Sequence, residues 1–487
     1  MNEIEALVVG SGFGGAIAAL RLAEAGVRTV VMERGRRWPV TGAHDTFATY
    51  DKPDGRAAWL SPVTVAPAQE DVPIDVYTGV LERVRGDGID VLVGAGVGGG
   101  SLVYNTVLYQ PRRDMFARVF PSWLDYDELD EVWYPKVREG VGVATMPADV
   151  LAHEHYRGQR VLLEEASAAG IPARLFELGL DWDVIRAELA GAVPPSLIAG
   201  QVWYGSNSGA KRSLDRTYLA RAEATGKVEV LPLHVVTDVH ENDHGFVVAY
   251  DEIDDNGRVL AHRDVHTRHL FLTAGSVATT RLLVRARETG ALPKLDDAVG
   301  TRWGANGDLV IIRSGLPPTG PGEGGPAGAV IEDLDNPVAP VALACMPIPQ
   351  AGMPEGSMGL IGMGLGPAKG SFHYDAGTDA VGLRWPSTDP GVTVIADGAR
   401  STFDRIGAGK IEAVDAGLTG HPCGGVPLGL ATDRYGRVNG YPGLYVVDGA
   451  LVPGGSAACT NPALTIGALA ERAMAAIVPG IVEEQTA

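Results

Sequence analysis

The sequence predicts a mixed α/β fold in which a Rossmann-like domain, discontinuous along the chain, carries a second domain built on an antiparallel sheet with helices. Three observations predict it. A glycine-rich turn, Gly10-Ser11-Gly12-Phe13-Gly14-Gly15, follows an apolar strand at the start of the 487 residues and opens a helix. Between residues 317 and 402, prolines, glycines and short alternating segments replace the βα rhythm, as in an antiparallel sheet. Near 437–449 the first texture returns, so one domain draws on both ends of the chain and on its middle.

Each element has a local cause. Residues 4–9 are an apolar strand; Gly10 and Gly12 let the backbone turn beside a pyrophosphate, and Gly15 lets a helix over 16–25 close on the sheet. Residues 29–32 form the second strand. Glu33 ends it where a carboxylate accepts hydrogen bonds from a ribose diol, which suits FAD or NAD better than a 2′-phosphate. A polar, proline-bearing stretch over 39–73 precedes a strand at 90–93, which runs into Gly94-Ala95-Gly96-Val97-Gly98-Gly99-Gly100-Ser101. So many glycines imply backbone lying against something flat or anionic, and Leu102-Val103-Tyr104 resumes an ordered apolar pattern at once, unlike a linker.

Helical periodicity marks 126–139, 155–169 and 211–224, the last with Ser213, Asp215 and Thr217 at its start. Strands are expected at 226–231, at 235–239 and 245–251 as a meander, and at 270–273. The last ends at Ala274-Gly275-Ser276 before a helix over 277–289, a second place where a sheet edge meets a cofactor. An amphipathic helix over 464–477 closes the chain. The nucleotide domain is therefore assigned to 1–40, 76–145, 211–315 and 436–487, and the substrate domain to 41–75, 146–210 and 316–435.

Composition narrows the function. Sixty acidic against 40 basic residues give a net charge of −20, which opposes binding to nucleic acid or anionic lipid and favours a small neutral or cationic ligand. Cys345, Cys423 and Cys459 are too few and too scattered for a disulfide framework or a zinc site, and no metal is expected. No apolar run reaches the ~20 residues of a membrane helix, so no stable membrane insertion is expected. The chain opens without a basic, then apolar leader; the expectation is a cytoplasmic protein, or a secreted one if a leader was removed. Only one nucleotide fingerprint is visible, which disfavours a nicotinamide enzyme.

The order of these landmarks, followed by His421-Pro422 and Asn461-Pro462, resembles the glucose-methanol-choline (GMC) flavoprotein oxidoreductases. Within that family the chain is most similar to the bacterial cholesterol oxidases whose FAD is not covalently attached. Val76-Tyr77-Thr78-Gly79-Val80-Leu81, Gly96 to Val103, Ser213-Leu214-Asp215-Arg216-Thr217 and Leu469-Ala470-Glu471-Arg472 also carry the likeness, which extends over nearly the whole chain. The resemblance implies FAD, with its pyrophosphate on Gly10, Gly12, Phe13, Gly14 and Gly15, its ribose at Glu33 and Arg34, and its adenine at the backbone of Val236. The isoalloxazine would lie against Gly94 and Gly98, Gly99, Gly100 and Ser101. Ala274, Gly275, Asp448, Gly449, Asn461 and Pro462 would complete the enclosure. Residues 94–101 hold no histidine, where some relatives attach FAD, so binding is expected to be non-covalent.

The resemblance further implies an alcohol oxidase that converts a secondary alcohol to a ketone and reduces O₂ to H₂O₂. His421 would take the hydroxyl proton and Asn461 would orient the oxygen. Tyr104, Ala342, Ala344 and Met346 would line the substrate pocket. Ala344 falls where those oxidases carry the glutamate that moves a steroid double bond, so isomerase activity should be absent unless Glu355 or another acid reaches in. The expected substrate is a cyclic or bulky secondary alcohol, and the expected state a monomer. Two alternatives remain open at this point: a dehydrogenase with a non-oxygen acceptor, and a hydroxynitrile-lyase-like enzyme on the same fold.

Overall fold

A computed structural model describes residues 3–67, 69–349 and 352–486. Its largest sheet has seven strands. Val228–Pro232, Thr29–Glu33, Glu3–Val9 and the carboxyl half of Val259–Leu272 run parallel, and Leu444–Val446 joins on the far side of the last. The amino half of Val259–Leu272 pairs instead antiparallel with Gly245–Ile253, which pairs in turn with His234–Asn242, the expected meander. Val8, Leu270, Phe271 and Leu272 are fully buried, as in a parallel sheet covered on both faces. Helix Phe13–Glu24 covers one face, and the closing helix Ala463–Thr486 packs on it.

The second sheet is antiparallel with six strands in the order Lys410–Asp415, Leu309–Ser314, Met358–Gly364, Val341–Met346, Ala329–Asp333, Ala173–Leu175. Period-two alternation splits Val341–Met346 between two cores. Val341, Leu343 and Cys345 pack with helices Arg157–Ala168 and Pro390–Ile406, whereas Ala342, Ala344 and Met346 belong to the core shared with the first sheet. A short third sheet joins Leu81–Arg85, Asp90–Gly94 and Leu418–Thr419, and so brings the glycine loop after residue 94 close to the segment before His421.

Four expectations need correction. The span 317–402 is not sheet alone, because a helix starts at Pro390, with Asp389 capping the Gly391 amide and proline tolerated in the first turn. The helix expected over 211–224 is only Tyr218–Ala224, preceded by a tight turn at Leu214–Arg216, since Lys211 is buried with its amine turned to carbonyls of other segments. Leu309–Ser314, within the span assigned to the nucleotide domain, pairs in the six-stranded sheet. The closing helix does contain a stretch, Ala463–Gln485, long and apolar enough to cross a bilayer. It is docked in the protein, where buried Glu471 pairs with Arg21 and Lys136, and Arg472 pairs with Glu128.

Candidate active site

A cavity of about 490 Å³ runs from the carboxyl ends of the parallel strands to the inner face of the six-stranded sheet. At its nucleotide end the wall includes Gly10, Gly12, Phe13, Gly14, Glu33, Arg34, Gly94, Gly99, Gly100, Val236, Ala274, Gly275, Asp448 and Gly449. The glycines divide by what a β-carbon would meet. At Gly14 it would fall 1.5 Å from the Val447 carbonyl oxygen, and at Gly15 2.0 Å from that of Gly10, so these two close the helix on the sheet. At Gly12, Gly100 and Gly275 nothing lies within 4 Å, so their bare backbone faces open cavity. A cradle of this shape, at the amino end of a helix whose first-turn amides have no intrahelical partner, fits a dinucleotide pyrophosphate and a flat ring.

Glu33 is nearly buried and already hydrogen-bonded. Its Oε2 accepts from the Ser11 amide (3.0 Å) and hydroxyl (2.6 Å), and its Oε1 from the Gly35 amide (2.9 Å). Ser11 Oγ in turn accepts from the Gly98 amide, tying the first glycine motif to the second. Gly98 and Ser101 therefore stand behind the wall; Ser101 donates to the Gly98 carbonyl and accepts from the Leu214 amide. Asp448 accepts from the Thr279 hydroxyl and the Gly275 and Ala450 amides, while burial pushes its carboxyl up to about 6. Arg34 pairs with Glu82, but Arg281, on the same wall, has a buried Nε without a partner; burial holds its guanidinium below the usual arginine range.

At the opposite end the wall is Tyr104, Asn105, Val107, Trp203, Leu309, Val310, Met346, Ile361, His421, Asn461 and Pro462. His421 and Asn461, 40 residues apart, meet with Nε2 and Nδ2 3.1 Å apart. Asn461 Oδ1 is buried without a partner. The other imidazole nitrogen, Nδ1, lies 2.8 Å from Asp308 Oδ1. Tyr104 donates to the Arg212 carbonyl at 3.4 Å and packs edge-on to Phe13, and burial raises its phenol above the ordinary range.

Of the pocket residues read from the sequence, Tyr104 and Met346 line the cavity. Ala342 and Ala344 do not: both are fully buried within their strand, and the cavity meets that sheet through Leu309, Val310, Ile361 and Met346. Glu355 is exposed on the surface beside Arg157 rather than in the wall. Asp308, Arg281 and Trp203 escaped the sequence analysis. Asp308 had the one available signal, a carboxylate in the turn Asn306-Gly307-Asp308 just before a strand, yet nothing in the sequence connects it to a histidine 113 positions on.

Two GMC oxidoreductase family models match the chain, the amino-terminal one over residues 5–288 and the carboxyl-terminal one over 375–470. The chain belongs to the GMC oxidoreductase family. Among its curated relatives, a cholesterol oxidase of Mycobacterium tuberculosis is 28% identical over 97% of this chain and 90% of that protein. A cholesterol oxidase of Acinetobacter baumannii is 24% identical over 63% of this chain and 55% of its own. Two solved structures share the fold. A fungal aryl-alcohol oxidase superposes with a TM-score of 0.68 at 16% identity, covering all of both chains. Pyridoxine 4-oxidase from Mesorbium loti gives 0.66 at 15% identity, covering 97% of this chain and 99% of that one.

Proposed function

We propose that the protein is an FAD-dependent alcohol oxidase of the cholesterol-oxidase type, converting a cyclic or bulky secondary alcohol to its ketone with O₂ as acceptor and H₂O₂ as product. The observation that carries this reading is the His421–Asn461 pair, set in an apolar wall of the same cavity that holds the glycine cradle. The pyrophosphate would rest on Gly10, Gly12 and the first turn of Phe13–Glu24, the ribose at Glu33, the adenine by Val236, and the ring system against Gly99 and Gly100. Bound FAD supplies the hydride acceptor for the carbinol carbon and passes the electron pair on to O₂.

The chain's own residues handle the proton. His421 Nε2 takes it from the substrate hydroxyl, and the Asn461 amide, which faces that nitrogen when no alcohol is present, donates to the alcohol oxygen and holds it in line. Val107, Leu309, Val310, Met346 and Ile361 exclude water and strengthen these hydrogen bonds. The charged groups of the cavity wall other than Asp308 (Glu33, Arg34, Arg281, Arg285 and Asp448) belong to the nucleotide end, and Asp308 is engaged by His421. A neutral, largely apolar alcohol therefore fits better than a quaternary amine or a sugar. Among the described residues the alcohol end of the wall holds no acid other than Asp308, so steroid isomerisation is not expected.

An anaerobic panel of sterols, cyclohexanols, terpenoid and linear alcohols tests the proposal through bleaching of the bound flavin. Bulky secondary alcohols should bleach it fastest, with one H₂O₂ per ketone on admission of air and all yellow colour released on denaturation. Bleaching by none of them would overturn the alcohol, ketone without peroxide the acceptor, and colour retained on the denatured chain the non-covalent attachment. Conjugated enone formed as fast as ketone would overturn the absence of isomerase.

A further inference from the structure

We infer that Asp308 is a positioning residue for His421, holding the imidazole as the neutral tautomer with its proton on Nδ1, so that the Nε2 lone pair faces the alcohol. The inference rests on the proposed role of His421 as the base. Three observations carry it. Asp308 is nearly buried and places Oδ1 2.8 Å from Nδ1. Its other oxygen, Oδ2, accepts from the Thr419 hydroxyl (2.8 Å) and the Gly420 amide (3.1 Å), so swinging the carboxylate away from the ring would break two further hydrogen bonds. On the far side of the ring the Asn461 amide presents Nδ2 to Nε2, and an N–H donor there requires a lone pair on that nitrogen. An acceptor at Nδ1 and a donor at Nε2 thus specify one tautomer between them.

The same turn governs the second half of the pair. Asn306, two residues before Asp308 and fully buried, donates from Nδ2 to the Thr460 carbonyl (2.9 Å) and accepts at Oδ1 from the Ala457 amide (2.8 Å). Its own amide donates to the Gly455 carbonyl. One turn, Asn306-Gly307-Asp308, therefore grips the strand-end loop carrying His421 with one side chain and the loop carrying Asn461 with the other. Fixing both loops from one short rigid segment limits the variation in their separation, which matters for a proton transfer sensitive to sub-ångström displacement. When His421 takes the hydroxyl proton on Nε2, both nitrogens carry hydrogen, and Asp308 remains an ionised partner for the imidazolium.

The test is Asp308→Asn. An amide cannot satisfy the Gly420 amide, the Thr419 hydroxyl and Nδ1–H together; with its oxygen toward Gly420 and Thr419 it turns an NH₂ to the ring and forces the proton onto Nε2. Histidine-selective ¹⁵N spectra of the FAD-loaded protein, with His421 assigned by its absence in His421→Gln, should show Nδ1 protonated in the wild type and Nε2 protonated in Asp308→Asn. FAD content should stay the same, and kcat on the best alcohol should fall by about 10²–10⁴ with KM within roughly threefold, as expected when a base is held in the wrong tautomer. A wild-type imidazole protonated on Nε2 overturns the inference even if the variant does not fold, as does Asp308→Asn with unchanged turnover. Because the tautomer is read without substrate, failure to find an alcohol would count against the proposed function and leave this result standing.

Discussion

The two ends of the cavity are built by opposite strategies. The nucleotide end is built around a unit within residues 3–35, where strand, turn, helix, second strand and Glu33 follow one another and hydrogen-bond among themselves. Gly94, Gly99, Gly100, Val236, Ala274-Gly275 and Asp448-Gly449 complete its wall. The alcohol end gathers Tyr104, Asp308, Met346, His421 and Asn461 from five separate stretches, and its important contacts span 40 and 113 residues. A short-range motif is self-specifying because its loop closure costs little entropy, whereas a long-range constellation exists only once both sheets are in place. The ends should therefore fail independently: damage to one removes chemistry and leaves binding, and damage to the other removes binding.

His421→Ala is the sharpest way to separate them and carries the largest expected effect. Flavin reduction by the best alcohol should slow by about 10²–10⁴, the usual worth of a positioned general base. FAD stoichiometry and melting temperature should stay close to wild type, because His421 is not part of the glycine cradle. Anaerobic stopped-flow reduction checks the first and the visible spectrum of the purified protein the second. Undiminished reduction would remove His421 as the base, and loss of FAD would show that the ends are not independent.

That independence also explains what the sequence made legible. The glycine turn, Glu33, the loop ending at Ser101, the Ala274-Gly275 strand end and the candidate pair His421 and Asn461 could all be found by motif and resemblance. The carboxylate beside the imidazole could not, since Asp308 is one of 60 acidic residues and its one local signal, a turn before a strand, points to no histidine. The error at Ala342 and Ala344 has the same origin. The resemblance placed both in the pocket, but which part of that sheet face the cavity reaches depends on the neighbouring strands, where Val310 and Ile361 line it instead. Helix Pro390–Ile406 was hidden for another reason, because glycines and an initial proline in a glycine-rich span look like breakers when the cap at Asp389 is overlooked.

Gly14→Ala attacks the opposite end. A β-carbon 1.5 Å from the Val447 carbonyl oxygen cannot be accommodated, so helix Phe13–Glu24 must move off the sheet, at a cost of about 1–3 kcal/mol typical of overpacking. The expected protein is less stable and poor in FAD. The activity of its FAD-loaded fraction should be nearer wild type than that of His421→Ala, as titration of the apoprotein with FAD followed by single-turnover reduction would reveal. A variant that binds FAD with wild-type affinity would contradict the packing role of this glycine.

The smallest effect lies on the seam between the ends. Lys211 is buried, with Nζ donating to the Leu102 carbonyl (3.1 Å), just past the glycine loop, and to the Val202 carbonyl (2.7 Å), beside Trp203 of the alcohol end. Burial lowers its ammonium to about 7. Between about pH 7 and the ordinary lysine value near 10.4, the unfolded chain holds a proton that the folded chain lacks, so stability should rise with pH by about 1.4 kcal/mol per unit and flatten below pH 7. Lys211→Met removes that group while keeping most of its bulk. The difference in unfolding free energy between wild type and variant, followed by denaturant titration from pH 6 to 9, should therefore grow in favour of wild type as the pH rises through this window. Parallel curves would mean that the amine keeps its proton in the folded state, making the seam a fixed charge clamped by two carbonyls.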